Sequence, residues 1–209
     1  MCQQQKQDSM KLKIVLRKIY FILVIILFFS CLHNTPKENI LGNKSCLIII
    51  DVQKGIFKLK QPVYNEQKLI KTLYSIITKA RKENIKIIYT QHENNTFLKN
   101  GTQDWYILDE IQPTEKDIIV TKKHPSIYEN TKLKNILEQE KITQLYIAGL
   151  ISNGCIKDAC MDSIKYNYKV YLIKDGHSTF YKNSDKIISS VNNELEKQNV
   201  ILISSENLF

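Results

Sequence analysis

"QLYIAGLISNGCIKDACMDSIKYNYKVYLIKD", residues 144–175, holds two apolar runs on either side of one helical pattern. The first run, 144–150, is continuous and rich in strand formers, as in a strand buried on both faces. "CIKDACMDSIKYN" (155–167) reads as a helix, and "KVYLIKD" (169–175) as the next strand. A strand, a helix and a strand in succession argue for parallel pairing.

The same alternation extends in both directions. "CLIIIDV" (46–52), "IKIIYTQ" (85–91), "DIIVTK" (117–122) and "VILIS" (200–204) read as strands. "QKLIKTLYSIITKARKEN" (67–84) sets Leu69, Ile70, Leu73, Ile76, Ile77 and Ala80 at helical spacing. "TKLKNILEQEK" (131–141) is a shorter helix, and "SDKIISSVNNELEKQ" (184–198) is one whose cap is predicted at Ser184. "WYILDEI" (105–111) fits either period. The pattern predicts a three-layer α/β/α, Rossmann-like domain over 44–209, with a six-stranded, mostly parallel sheet.

The N-terminus has another character. Residues 1–18 carry Lys6, Lys11, Lys13, Arg17 and Lys18 against Asp8 alone, and "IYFILVIILFFSCL" (19–32) carries no charge. Fourteen apolar residues fall short of the roughly 20 that span a bilayer, and suit the core of a signal peptide. Met10 is an alternative start. The ending "LFFSC" resembles a relaxed lipobox that would lipidate Cys31, although Phe28 and Phe29 depart from the usual small residues. An uncleaved anchor is the other reading. Either one predicts an exported or membrane-tethered protein, with 1–31 outside the fold and "LHNTPKENILGN" (32–43) as a linker.

Composition narrows the function classes. Of the net charge of +9, the tail supplies +4, and no basic run with interleaved aromatics remains in the body. Nucleic acid is therefore not an expected partner. The four histidines are scattered and no C-x-x-C occurs, so no structural metal site is expected. The body's three cysteines, Cys46, Cys155 and Cys160, are an odd number, which argues against a full disulfide framework.

In parallel sheets, ligands bind beyond the carboxyl ends of the strands. Three chemically active side chains fall there: Asp51, Lys122 and, after Leu150, Cys155. Taken singly, each has an ordinary reading: a turn aspartate, a solvated lysine, a small core residue. Together they offer an acid, a cation and a thiol at one place.

"LIIIDVQKGI", "IVTKKHPSIYENTKL" and "YIAGLISNGCIKDACMDSIKYNYKVYLIKDG" resemble, in order, three blocks of the isochorismatase-like cysteine hydrolases, a superfamily that includes nicotinamidases and N-carbamoylsarcosine amidohydrolases. The resemblance covers roughly 44–204. It implies that Asp51 is the general base, Lys122 the stabilising cation and Cys155 the nucleophile. Lys122 is preferred to Lys123 for its spacing to Pro125 and Tyr128. It further implies a cis peptide at Leu150–Ile151, aiming the N–H groups of Ile151 and Cys155 at an oxyanion. No cofactor is implied. A small-molecule substrate is, and so is a homo-oligomer, since such dimers and larger assemblies are common in the superfamily.

A free thiol has a pKa near 8.5 and needs activation at neutral pH, which a carboxylate and a cation at its side supply. The reaction implied is attack on an amide-type carbonyl through a thioester. Departures bear on the substrate. Nicotinamidases carry an Asp and closely spaced His residues after the second strand, whereas "YTQHENN" has His92 alone. Ile56, Phe57, His92, Trp105 and Tyr128 are candidate pocket walls, with core packing as the alternative for each. Asp175 and His177 in "KDGHSTF" read as turn residues. Two further functions stay open: a vinyl-ether hydrolase that needs no Cys155, and a non-catalytic binding lipoprotein on the same scaffold.

Overall fold

The computed structural model describes residues 44–209. The basic segment 1–18, the apolar stretch 19–32 with Cys31, and the whole linker 32–43 lie outside the described residues. Among the described residues, no helix is long and apolar enough to cross a membrane.

Six strands form one sheet: β1 (Ser45–Ile50), β2 (Lys86–His92), β3 (Ile118–Lys122), β4 (Gln144–Leu150), β5 (Lys169–Ser178) and β6 (Ile201–Ile203). Their order is β3-β2-β1-β4-β5-β6 and every pairing is parallel. The alternation of side chains along each strand sorts the core into two layers. Leu47, Ile49, Ile87 and Tyr89 pack with Leu69, Leu73, Ile76 and Ile77 of α1 (Glu66–Lys82). Ile48, Ile50, Ile88 and Ile147 face the other way, against α2 (Leu133–Gln139), α3 (Lys157–Lys165) and α4 (Ser184–Lys197). Strands buried on both faces are why the sequence shows continuous apolar runs rather than alternation.

The chain winds outward from β1 to β3 and then, from β4, in the opposite direction. The reversal lies between β1 and β4, and this is where a doubly wound sheet opens a crevice for ligands. The two strands approach closely there. Gly149 has φ +123°, and a Cβ on it would stand 2.2 Å from the Ile50 carbonyl oxygen, so only glycine fits.

Four local expectations change. The helix predicted from 155 starts later: Ser152–Ile156 form a π-type turn with non-helical Asn153 and Gly154, and α3 begins at Lys157. The cap of α4 is Asn183 in the left-handed region, and Ser184 is the first helical residue, its hydroxyl donating back to the Tyr181 carbonyl. Segment 105–111 is neither strand nor regular helix: it holds an isolated antiparallel bridge, Gln53–Ile107, and a short 3-10 turn at Asp109–Ile111. Finally, β5 runs three residues beyond Asp175. Ile147 pairs with Leu172 but Gly149 pairs with His177, so two steps along β4 match five along β5.

Candidate active site

Asp51 leaves β1 in a left-handed conformation, φ 51°, that aspartate tolerates better than most residues. Its Oδ1 accepts a hydrogen bond from Thr90 Oγ1 at 2.7 Å, and its Oδ2 lies 2.7 Å from Lys122 Nζ. Lys122 ends β3, with β2 between it and β1, so a long lysine is needed to reach across. The ammonium also donates to the His124 carbonyl (3.2 Å) and to Cys155 Sγ (3.3 Å). Asp51, Lys122 and Thr90 are buried, whereas Cys155 is only partly so. Three strand ends therefore deliver one carboxylate, one ammonium and one thiol to a shared point.

The electrostatics follow from that geometry. Burial disfavours the charged form of Lys122, yet the adjoining Asp51 and Cys155 hold its pKa above the ordinary lysine value. For Cys155, burial comes first and the Asp51 charge second; together they push the thiol up to about 12 against the opposing pull of Lys122. In the free site the sulfur is thus a thiol beside an ion pair. Moving its proton to Asp51 shifts one negative charge from oxygen to sulfur across the same ammonium, without changing the net charge.

The turn bearing Cys155 follows a cis peptide at Leu150–Ile151. The Ile151 carbonyl accepts from Gly154 N (3.1 Å) and Ile156 N (3.2 Å), which closes the turn. Gly154 leaves little room: a Cβ there would meet Ile151 Cγ1 at 3.2 Å.

His92 reaches the site, its Nδ1 3.5 Å from Lys122 Nζ. Burial and the Lys122 charge lower its pKa, so the ring is neutral at neutral pH. Trp105 and Phe57 are half-buried and Ile56 fully so, all packed against the α1-side core. Trp105 lines a cavity of about 630 Å³ with Gln91, Ile119 and Thr121, which point to the face of the sheet opposite Lys122. Tyr128 stands apart as a packing residue. It donates to Ser163 Oγ at 2.8 Å, because the Ser163 proton goes to the Ala159 carbonyl, and its ring lies against Tyr166 and Tyr168.

Two residues that sequence reasoning left without a role belong to the site. Gln53, fully buried, donates from Nε2 to the carbonyls of His92 (2.9 Å) and Trp105 (2.7 Å) and accepts from His92 N–H (2.8 Å). It staples the end of β2 and the 105 segment to the exit of β1, and its signal was the D-x-Q pattern itself. Thr90 holds Asp51 from both sides, since Asp51 N–H donates to the Thr90 carbonyl at 3.2 Å. Among the described residues, no group of three or more His, Cys, Asp or Glu side chains is gathered for a metal ion.

With this geometry in view, comparison with known proteins is decisive. The isochorismatase domain matches residues 45–205. This chain belongs to the isochorismatase family. It is a hydrolase of that family. It is 25% identical over 150 residues to the secreted isochorismatase effector Isc1 of Verticillium dahliae, covering 70% of this chain and 79% of that protein. It is 22% identical over 164 residues to nicotinamidase 3 of Arabidopsis thaliana, covering 71% and 80% respectively. The crystal structure of an isochorismatase from Pseudomonas putida superposes with a TM-score of 0.74 at 20% identity, over 79% of this chain and 90% of that one. The isochorismatase-family fold inferred from the sequence is the fold observed.

Proposed function

We propose that this family hydrolase cleaves a small amide-type C–N bond with Cys155 as the nucleophile. The observation that carries the reading is the Lys122 ammonium, 2.7 Å from Asp51 and 3.3 Å from Cys155. A nicotinamidase among the relatives, which by its name acts on an amide, supports the reaction class.

In the reaction, Asp51 takes the Cys155 proton as Sγ bonds to the carbonyl carbon, and the π electrons move to oxygen. The Ile151 and Cys155 N–H groups stabilise that oxyanion, and Lys122 balances the charge on sulfur. The oxyanion collapses, the C–N bond breaks and the amine leaves with the proton held by Asp51. Water then gives its proton to Asp51 and attacks the thioester. The C–S bond breaks, the acid departs and the thiol regains the proton.

The activation has a direct test. Because proton transfer within Asp51 and Cys155 conserves charge, alkylation of Cys155 by iodoacetamide is expected to be nearly independent of pH between about 6 and 8. An unassisted thiol reacts about tenfold faster per pH unit below its pKa. The Asp51→Asn variant is expected to acquire that slope, while a wild-type rate that rises like an ordinary thiol overturns the reading.

We also read the N-terminal basic and apolar stretch as an export or anchoring signal, supported by its pattern alone. Labelling with a fatty-acid analogue that is lost in Cys31→Ala supports lipidation, and unchanged labelling opposes it.

A further inference from the structure

The end of β5 carries a buried polar cluster that the reaction above does not use. His177 Nδ1 lies 2.8 Å from Ser152 Oγ, and Nε2 lies 2.9 Å from Asn192 Oδ1 on α4. Two residues on, Thr179 Oγ1 donates to Asn153 Oδ1 at 3.0 Å. Ser152, His177 and Thr179 are buried, and Ser152 has no exposed surface at all.

We propose that His177 and Thr179 are positioning residues, which clasp Ser152 and Asn153 and so fix the Cys155 sulfur against Lys122 and Asp51. The proposal rests on the cysteine-hydrolase reading and adds what holds the nucleophile turn.

The register of the sheet supports it. Continued regularly from Ile147–Leu172, the pairing would set Lys174 opposite Gly149. The bulge instead sets His177 there, and Ser178 opposite Leu150, immediately before the turn. Bulges commonly re-aim side chains beside active sites. The clasp is itself anchored: Ser178 Oγ donates to the Tyr64 carbonyl at 2.7 Å, and Tyr64 N–H donates to the Thr179 carbonyl at 2.9 Å.

The turn needs such support. Asn153 and Gly154 depart from helical angles, so beyond the two bonds to the Ile151 carbonyl no regular helical ladder runs through the residues just before the sulfur. With the Asn192 oxygen accepting from Nε2–H, the other ring nitrogen is an acceptor and Ser152 donates to it. Burial keeps the ring neutral, its pKa lowered to about 4, which preserves that donor pattern at working pH. The Ser–His–Asn set has the residue types of a hydrolytic triad. Its serine is sealed from substrate, so its part is geometric.

The test uses the full chain and two imidazole mimics. His177→Asn keeps an acceptor near the Nδ1 position, and His177→Gln moves the amide toward the Nε2 position. Thr179→Val removes the Asn153 bond while keeping the side-chain shape. Amide hydrogen exchange over 151–157 is expected to quicken by about tenfold or more in His177→Gln and Thr179→Val, as local opening becomes easier. His177→Asn is expected to stay near wild type. In the same two loosened variants, Cys155 alkylation is expected to gain the slope of an ordinary thiol, whatever the change in melting temperature. Unchanged exchange in the turn, or faster exchange with an unchanged alkylation profile, overturns the clasp. A wild-type alkylation rate that already rises with pH counts against activation by Asp51 instead, and the exchange data then decide the clasp alone.

Discussion

Lys122 and Asp51 form a 2.7 Å ion pair in which neither side chain is more than 4% exposed, although their strands are not neighbours in the sheet. Burial of both charges makes each depend on the other. Removing one partner of a buried pair leaves an uncompensated charge and costs about 3–5 kcal/mol, whereas neutralising both costs far less. Lys122→Met and Asp51→Asn are each expected to lower unfolding stability by about that amount. The double variant is expected to recover most of the loss and remain inactive. Urea denaturation of the three variants checks this; additive losses in the double variant would contradict the pairing.

Tyr128 offers a contrast, because its hydroxyl serves packing between the segment after β3 and α3. Tyr128→Phe removes one neutral hydrogen bond, worth about 1 kcal/mol, and leaves Ser163 still donating to Ala159. Stability is expected to fall by that amount, with Cys155 alkylation unchanged. A changed alkylation rate would place Tyr128 in the site.

His177 links stability to pH. Its pKa is lowered by burial from 6.5 to about 4 in the folded chain, so below pH 6.5 the unfolded chain binds more protons. The contribution is present in full above about pH 6.5 and is lost as pH falls toward 4, amounting to roughly 2 kcal/mol between about pH 7 and pH 5. Wild type is expected to lose that much more stability over this interval than His177→Gln, as measured by urea unfolding at both pH values. Equal losses would contradict a buried neutral histidine.

Much of this was legible in the sequence for a physical reason. Strands sealed by helices on both faces need uninterrupted apolar residues, so Leu47–Ile50 and Leu145–Leu150 announced themselves. The strand ends then picked out Asp51, Lys122 and Cys155. What stayed hidden depends on distant partners. His177 read as a turn residue because the bulge that places it opposite Gly149 leaves no periodic mark, and Ser152 lies 25 residues away. Tyr128 looked like a pocket wall because nothing in its spacing reveals the bond to Ser163. The 105–111 segment fitted either period, and so neither decisively, because a single bridge to Gln53 and the buried Gln53 side chain hold it, not a ladder.

The central claim is that Cys155 attacks the substrate. The most direct measurement is ammonia release from a panel of small primary amides by the full chain and by Cys155→Ala. The variant should fold normally, since it removes only a partly exposed sulfur. The expected result is release by wild type that falls to background in Cys155→Ala. Release that persists undiminished in Cys155→Ala would contradict the account.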